Sequence, residues 1–456
     1  MPFKTSDFLR AAGGIPRGPL PESFSGAAID SRKVKPGNLY VALKGEKADG
    51  RDFAAHAVVN GAALVLAEGE PPQAPGAAPL PWVSVENARR AFSCAARAWR
   101  ISLKARVAGV TGSSGKTTTK EFLAALLRTC GKTAATEGNH NNDLGLPLSI
   151  LNAPGDALFG VFECGTNHHG EIAALADVLR PDCAIVSSIG EAHIENFGSL
   201  DGTAREKGAL FAAVPECGFN AISRENARFD ILKSMSKARL VETSCANPTA
   251  PFYARTENAV TGSFTVFENG KAAARFETGI PGEYNISNAL LAYAAARNLG
   301  AEPEACANAL RGFSLPGRRW HRTEKDGVLW IDDAYNANPS SMKAALGNFA
   351  LWPCKGRRIA VLGDMFELGK ESLPLHRAVA RFAAGLGLDI VVATGDAMSA
   401  AFAPEYHAAA PRSIVVSVPD TDSAHALLES ILRPGDTVLL KGSRGMEMEN
   451  VMEVRE

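Results

Sequence analysis

Short apolar runs, each ending in polar or Gly-rich punctuation, recur along the chain. The first stretch, over residues 1–70, carries Leu39–Leu43 and Ala62–Ala67 and reads as compact α/β. It closes in the Pro/Ala/Gly-rich PPQAPGAAPLP at 71–81, a linker or surface loop by composition. From Ala105 a strand–loop–helix alternation begins: ARVAGV, FGVFE, CAIVSSI and GFNAI are strand-like, with helical segments after most of them. A second alternation opens near Val328 with VLWID, RIAVLG, DIVVAT, SIVVSV and DTVLLK, separated by helical stretches such as Ser372–Ala384 and Asp422–Leu432. Such alternation predicts parallel strands with crossover helices, in two separate doubly wound units. The fold class is therefore α/β in three domains, 1–83, 84–315 and 316–456. Ligands of open parallel sheets bind beyond the carboxyl ends of the strands. The punctuation after the strands (DAYNANP, DMFELG, GSRG) is then expected to open onto one face.

Composition adds limits. The 456 residues suit about three domains at ~100–200 residues each. Lys and Arg number 48 against 49 Asp and Glu, a net charge of −1. This argues against a broad nucleic-acid surface, though not against a local basic pocket for a phosphorylated small molecule. No run approaches the ~18–20 apolar residues of a membrane span, and MPFKTSDFLRAAGG lacks an apolar signal-peptide core. The eight cysteines stand singly, as Cys94, Cys130, Cys164, Cys183, Cys217, Cys245, Cys306 and Cys354. They read as reduced core thiols of a cytoplasmic protein.

The sharpest local signal is VAGVTGSSGKTTTKEF at 107–122. A strand to Val110 leads into a Gly-rich loop, and Lys116 opens a helix. Loop amides and the helix N-terminus make a site for phosphate oxygens, Lys116 reaches the terminal phosphates, and the Thr117 hydroxyl is a Mg²⁺ ligand. The glycine is Gly112 rather than position 110, so TGSSGKTT is a shortened variant of the usual loop. Glu163 ends FGVFE, where a carboxylate would meet such a Mg²⁺ or simply face solvent. His168 and His169 read as loop residues. His193, past the CAIVSSI strand, and Lys207, in TAREKGALF, are by themselves a structural histidine and a solvated lysine.

Taken together, TGSSGKTTT, TEGNHNNDLGLPLSIL and FECGTNHHGEIAALADVLRPDCAIVSSIGEAHIENFGS resemble the ATP-dependent Mur ligases of peptidoglycan synthesis. IDSRKVKPGNLYVALKGEKADGRDF, WIDDAYNANPSSM, VLGDMFELG and LLKGSRGMEM are similar to the type that adds D-alanyl-D-alanine to a UDP-muramoyl tripeptide. The likeness covers nearly the whole chain in order. It implies an N-terminal domain for the uridine diphosphate end, a central ATPase domain and a C-terminal Rossmann-like domain that closes the cleft. It further implies ATP and Mg²⁺ as cofactors, small-molecule partners only, no membrane insertion and a monomer. The implied chemistry runs through an acyl phosphate.

Matched by position, Gly112, Ser113, Ser114, Gly115, Lys116, Thr117 and Thr118 would take the phosphates. Thr117 and Glu163 would hold a first Mg²⁺, His193 would help hold a second, and Lys207 falls on the family's carbamylated lysine. Lys116, His193 and Lys207 are thus the catalytic candidates. Asn285 and Asn288 match the pair that reads adenine, an edge that amides suit as both donors and acceptors. Arg318 and Asp333 would reach phosphate and ribose from the third domain. Ser31 and Arg32 match the loop for the uridine diphosphate end, and Asn141 and Asn142 the central pocket. Asn336, Asn338, Lys441, Ser443 and Arg444 match the cleft lining.

The chain departs from the family pattern in three places. Arg51 stands where His is usual, Tyr284 where His is frequent, and Ser223-Arg224-Glu225 where Asn-Ala-Asp is typical. Folylpolyglutamate synthases share the phosphate loop, but DDAYNANP argues against them. A nucleotide-binding scaffold without catalysis is the reading from another class, and the retained Lys116, Thr117, Glu163, His193 and Lys207 oppose it.

Overall fold

The computed structural model describes residues 2–72, 79–191 and 194–452. Three principal sheets follow one another along the chain. The first has five strands in the spatial order Ile15–Arg17, Trp82–Val85, Leu64–Glu68, Leu39–Ala42 and Ala27–Ala28, parallel except for the Ile15–Arg17 edge. Most of the 71–81 linker, residues 73–78, lies outside the described residues. The second sheet has nine strands, and Arg106–Thr111 lies between Cys183–Val186 and Phe159–Glu163, all parallel. Its far edge is an antiparallel meander, Phe252–Asn258, Ser263–Glu268 and Lys271–Glu277, which the strand–helix alternation did not announce. The third sheet has six strands. The parallel series predicted from Val328 onward is present, and His321–Lys325 adds an antiparallel edge.

Burial divides these units unevenly. One apolar cluster begins under the first sheet with Phe8, Leu39 and Leu64 and passes through Phe92, Ala95 and Trp99 of helix Ala88–Ser102. It continues into Leu146, Ile150, Ile172 and Leu210 beneath the second sheet. The first two units therefore share a core on one face, while the other face of the first sheet carries its own cluster around Tyr40, Val65 and Trp82. Trp99 stitches this seam: its ring meets Phe3, and its Nε1 donates to the Ala153 carbonyl at 3.2 Å. The opposite face of the second sheet is covered by helices Lys116–Arg128 and Glu283–Asn298, the latter buried nearly all round. The third sheet has clusters of its own on both faces, around Leu346, Phe349 and Leu362, and around Val361, Leu428 and Leu440. No helix among the described residues is long and apolar enough to cross a membrane.

Candidate functional site

The phosphate loop is built from small residues because nothing larger fits. Gly112 has φ 152°, and a Cβ there would lie 2.1 Å from Ser187 Oγ. Gly115 has φ 80°, left-handed backbone that glycine adopts without strain, and a Cβ would meet Asn288 Oδ1 at 2.6 Å. Between them the loop is zipped onto the segment after strand Cys183–Val186. Ser113 N donates to Ser188 O at 2.9 Å, Ser114 N to Ser188 Oγ at 2.9 Å, and Ser113 Oγ to Gly190 O at 3.1 Å. Two loop amides expected to take phosphate are thus engaged within the protein. The anion site narrows to the first turn of helix Lys116–Arg128, whose Gly115 N-cap supplies no capping side chain. Lys116 Nζ folds back to the Gly112 carbonyl at 2.8 Å, and Thr118 is buried in the same turn. Burial holds the Lys116 ammonium below its ordinary pKa; Glu163 opposes this shift and Arg319 adds to it.

Glu163 is the hub. Its Oε2 accepts from Thr117 Oγ1 at 2.7 Å and its Oε1 from Asn141 Nδ2 at 2.8 Å, at a buried strand end. Asn142 does something different: its Oδ1 accepts from Leu144 N and Gly145 N at the start of helix Gly145–Leu151. A residue the sequence did not single out holds this loop down. Lys120 is fully buried, pairs with Glu121, and donates to the Thr136 carbonyl at 2.7 Å, while Thr136 Oγ1 accepts from Glu163 N at 3.0 Å. A charged side chain on the inner face of the phosphate-loop helix was the signal available.

Lys207 is only 1 % exposed, not the solvated lysine its local sequence suggests. Burial, and then the charge of Lys116, push its pKa well below the ordinary value, against the pull of Glu206. His193 lies outside the described residues. Asn285 Nδ2 donates to Pro281 O at 2.7 Å and Asn288 packs under Gly115, so this buried pair braces the phosphate end of the site.

The third domain meets the loop through polar groups. Asn338 caps helix Pro339–Leu351, and its Nδ2 reaches Ser114 Oγ at 3.3 Å. Arg319 Nη2 donates to Thr117 Oγ1 at 3.1 Å, whereas Arg318 is turned to Asp332 at 3.0 Å and Glu449 at 3.4 Å. Asp333 takes Lys441 Nζ on Oδ2 at 2.7 Å and Trp320 N on Oδ1 at 3.2 Å. Asn336 Oδ1 accepts from Arg444 N at 3.4 Å, Ser443 Oγ from Phe366 N at 2.8 Å, and Arg444 Nη1 pairs with Glu449. Lys116 and Ser113 face Asn336, Asn338, Phe366, Ser443 and Arg444 across a cavity of about 210 Å³.

In the first domain, Ser31 Oγ lies 3.1 Å from His56 Nδ1. Arg32 is folded onto Asp30 and Arg51 onto Asp49 in matching Asp-x-Arg turns. These arginines hold Asp30 and Asp49 down to about 2. The Arg32 side chain stays largely in solvent, and that of Arg51 is about half exposed.

Of the four residues expected at a metal, Thr117 and Glu163 offer hard oxygens, Lys207 would do so only once carbamylated, and His193 lies outside the described residues. Among the described residues no three His, Cys, Asp or Glu side chains converge as a metal cage. Mg²⁺ takes much of its shell from phosphate and water. The Arg319 guanidinium against the Thr117 hydroxyl is a stand-in cation at that spot. The Thr117 and Glu163 oxygens fit Mg²⁺.

Comparison with known proteins agrees along the whole chain. Residues 23–100 match the model of the Mur ligase family catalytic domain, 110–296 the Mur ligase middle domain, and 318–444 the Mur ligase glutamate ligase domain. UDP-N-acetylmuramoyl-tripeptide–D-alanyl-D-alanine ligase of Escherichia coli is 36% identical over 94% of this chain and 93% of its own. The crystal structure of MurF from Acinetobacter baumannii superposes with a TM-score of 0.86 at 28% identity, covering 99% and 98% of the two chains. MurF ligase from Thermotoga maritima in complex with ADP gives 0.78 at 27% identity, covering 94% and 96%. The phosphate loop, its carboxylate partner and the order of the three matched domains lead to one conclusion: this chain belongs to the Mur ligase family.

Proposed function

We propose that the chain is an ATP-dependent ligase that joins D-alanyl-D-alanine to UDP-N-acetylmuramoyl-tripeptide, forming the pentapeptide precursor of peptidoglycan. The observation that carries this reading is the Lys116–Thr117–Glu163 constellation at the mouth of a cleft lined by the DDAYNANP and GSRG segments. Its likeness to a relative bearing that name runs over 94% of the chain.

A carboxylate is a poor electrophile, so the tripeptide carboxylate first takes the γ-phosphoryl group of ATP. The dipeptide amine attacks the resulting acyl phosphate, and phosphate leaves through a tetrahedral intermediate. Lys116 and the first turn of its helix would neutralise the phosphates during the first step. Thr117 and Glu163 would hold Mg²⁺, with His193 and Lys207 beside a second ion; when bound, Mg²⁺ supplies charge neutralisation at the phosphate oxygens. Asn141 would orient Glu163, and Asn285 and Asn288 would hold the loop under the nucleotide. Asp333, Asn336, Asn338, Lys441, Ser443 and Arg444 would complete the cleft when the third domain closes. Ser31 and Arg32 would engage the uridine diphosphate end. Carbamylation of Lys207 needs its uncharged amine, which burial favours; bicarbonate added to carbamate-depleted enzyme should raise activity, and no response would exclude the modification. The enzyme would act as a monomer in the cytoplasm, where ATP is supplied, and its product would feed wall growth and division.

The test is phosphate release by the purified chain. Release should require ATP, the UDP-muramoyl tripeptide and D-alanyl-D-alanine together, and Lys116→Ala should abolish it while leaving the fold intact. Turnover with a single amino acid in place of the dipeptide would sink the assignment.

A further inference from the structure

Three strand-end loops of the third domain meet at Ser443. Its N–H donates to the Asp364 carbonyl at 3.0 Å, and its Oγ accepts from Phe366 N at 2.8 Å and donates to the Ala337 carbonyl at 3.4 Å. Backbones press together beside it, where a Cβ on Gly442 would lie 3.1 Å from Gly363 Cα. DMFELG, GSRG and DAYNANP thus form one plate, the third-domain wall of the cleft.

That plate leaves its largest apolar side chain uncovered. Met365 and Leu368 are each 2% exposed, whereas Phe366 is 45% exposed. Glu367 turns the chain between these faces, with φ 62°, a left-handed backbone uncommon in a residue that has a Cβ. The Phe366 N–H on Ser443 fixes the near side of the turn. The ring lies against Gly445, where a Cβ would come within 2.9 Å of Phe366 Cε2. A strained residue and a bare glycine therefore hold a phenyl ring at the cleft.

The rest of the cavity of about 210 Å³ is lined mainly by polar side chains, from Lys116 on one wall to Asn336, Asn338 and Arg444 on the other. A fixed ring among such groups suits a ligand that is polar overall and carries a small apolar substituent. D-alanyl-D-alanine is such a ligand, with one methyl on each residue. Its amine must meet the acyl phosphate at the second-domain wall, beside Lys116. An extended dipeptide spans about 7 Å, so its carboxyl-terminal residue reaches toward the opposite wall. There Phe366 presents its ring, and Arg444 supplies a cation for the carboxylate.

We propose that Phe366 is a specificity-determining residue, which selects the carboxyl-terminal D-alanine of the acceptor by packing its ring against that methyl group. The contact changes no bond and moves no proton; it removes apolar surface from water. The proposal rests on the dipeptide-ligase reading of the same site.

The test compares acceptors by phosphate release from the full chain, with ATP, Mg²⁺ and the UDP-muramoyl tripeptide. D-alanyl-glycine lacks the carboxyl-terminal methyl, and glycyl-D-alanine lacks the amino-terminal one. The unaltered chain should prefer D-alanyl-D-alanine to D-alanyl-glycine by about 10-fold or more in kcat/KM. Phe366→Ala should shrink that preference by about 3–10-fold, mainly through the KM of the dipeptide. Its preference over glycyl-D-alanine and the KM of the tripeptide should not move. Phe366→Leu should retain most of the preference. Gly445→Ala, whose new Cβ displaces the ring, should shift the preference in the same direction as Phe366→Ala, and it reads the same ratio if Phe366→Ala does not fold. No preference in the unaltered chain, no change in either variant, or equal loss against both analogues overturns the proposal while the ligase reading stands. If the unaltered chain releases no phosphate with D-alanyl-D-alanine, the ligase reading fails and this proposal with it.

Discussion

The second domain is joined to its two neighbours in opposite ways. Toward the first domain it shares an unbroken apolar core, crossed by Trp99 and helix Ala88–Ser102. Asn152 adds a polar stitch, its side-chain amide pairing with both backbone groups of Ala27 at the edge of the first sheet. Toward the third domain the contacts include single polar bonds, Arg319 to Thr117, Asn338 to Ser114, and Asn348 Nδ2 to the Pro281 carbonyl at 3.2 Å, and Gly369 lies beside the Glu195 side chain. Apolar burial scales with area and gives a rigid seam, whereas isolated hydrogen bonds exchange readily with water. The lesson is a division of labour. One seam is built to fix the first domain relative to the phosphate loop, and the other is built of bonds that an opening motion would break one at a time.

The most severe way to break the first seam is Trp99→Ala. It should cost about 3–5 kcal/mol, and chemical denaturation should lower the transition of the first two domains together while the third domain keeps its midpoint. Separate early melting of the first sheet would disprove the shared core. Lys120→Met, within the second domain, should cost about 1–3 kcal/mol by leaving Thr136 and Glu121 without their buried partner. The loss in kcat/KM should exceed what thermal stability predicts, because Asn141 and Glu163 lose their anchored loop, and Lys120→Arg should recover part of it. On the polar seam, Asn348→Ala should cost no more than about 0.5–1.5 kcal/mol yet expand the nucleotide-free protein in solution scattering. An unchanged radius of gyration would show that this seam does not gate opening.

The smallest effect concerns the third domain alone. His376 is buried, with Nδ1 2.8 Å from Ser372 O and Nε2 accepting from Met365 N at 3.1 Å, and burial holds its pKa below the usual value. The unfolded chain therefore binds a proton as pH falls through about 6.5 before the folded domain does. Melting of this domain should be insensitive to His376 above that pH and decline below it, and His376→Gln should flatten the slope.

What the sequence revealed of the site was what is local. The phosphate loop lies within 107–122, and its strand, turn and helix are each dictated by neighbours in the chain. Burial of Lys207 was hidden because it depends on how helix Leu200–Ala212 packs, not on TAREKGALF itself. That Arg319 meets Thr117 was hidden too, since it depends on the left-handed backbone at Trp320 and composition carries no trace of φ. Asn141 and Asn142 look equivalent as a dipeptide, yet one serves Glu163 and the other a helix start. For the fold, strand alternation announced the parallel strands but missed the antiparallel edges, whose partly exposed strands lack the continuous apolar runs of a doubly covered sheet.

The shared core also sets a schedule for biosynthesis. Strands up to Trp82–Val85 leave the ribosome with Phe8, Leu39 and Leu64 needing partners that extend to Leu232 and Ala238. At about 5–20 residues per second, translation takes roughly 10–30 s to deliver them. During that interval the nascent N-terminal sheet has helix Ala88–Ser102 against it but lacks the rest of its core, whereas the third domain can collapse by itself once its final strand, Thr437–Lys441, emerges.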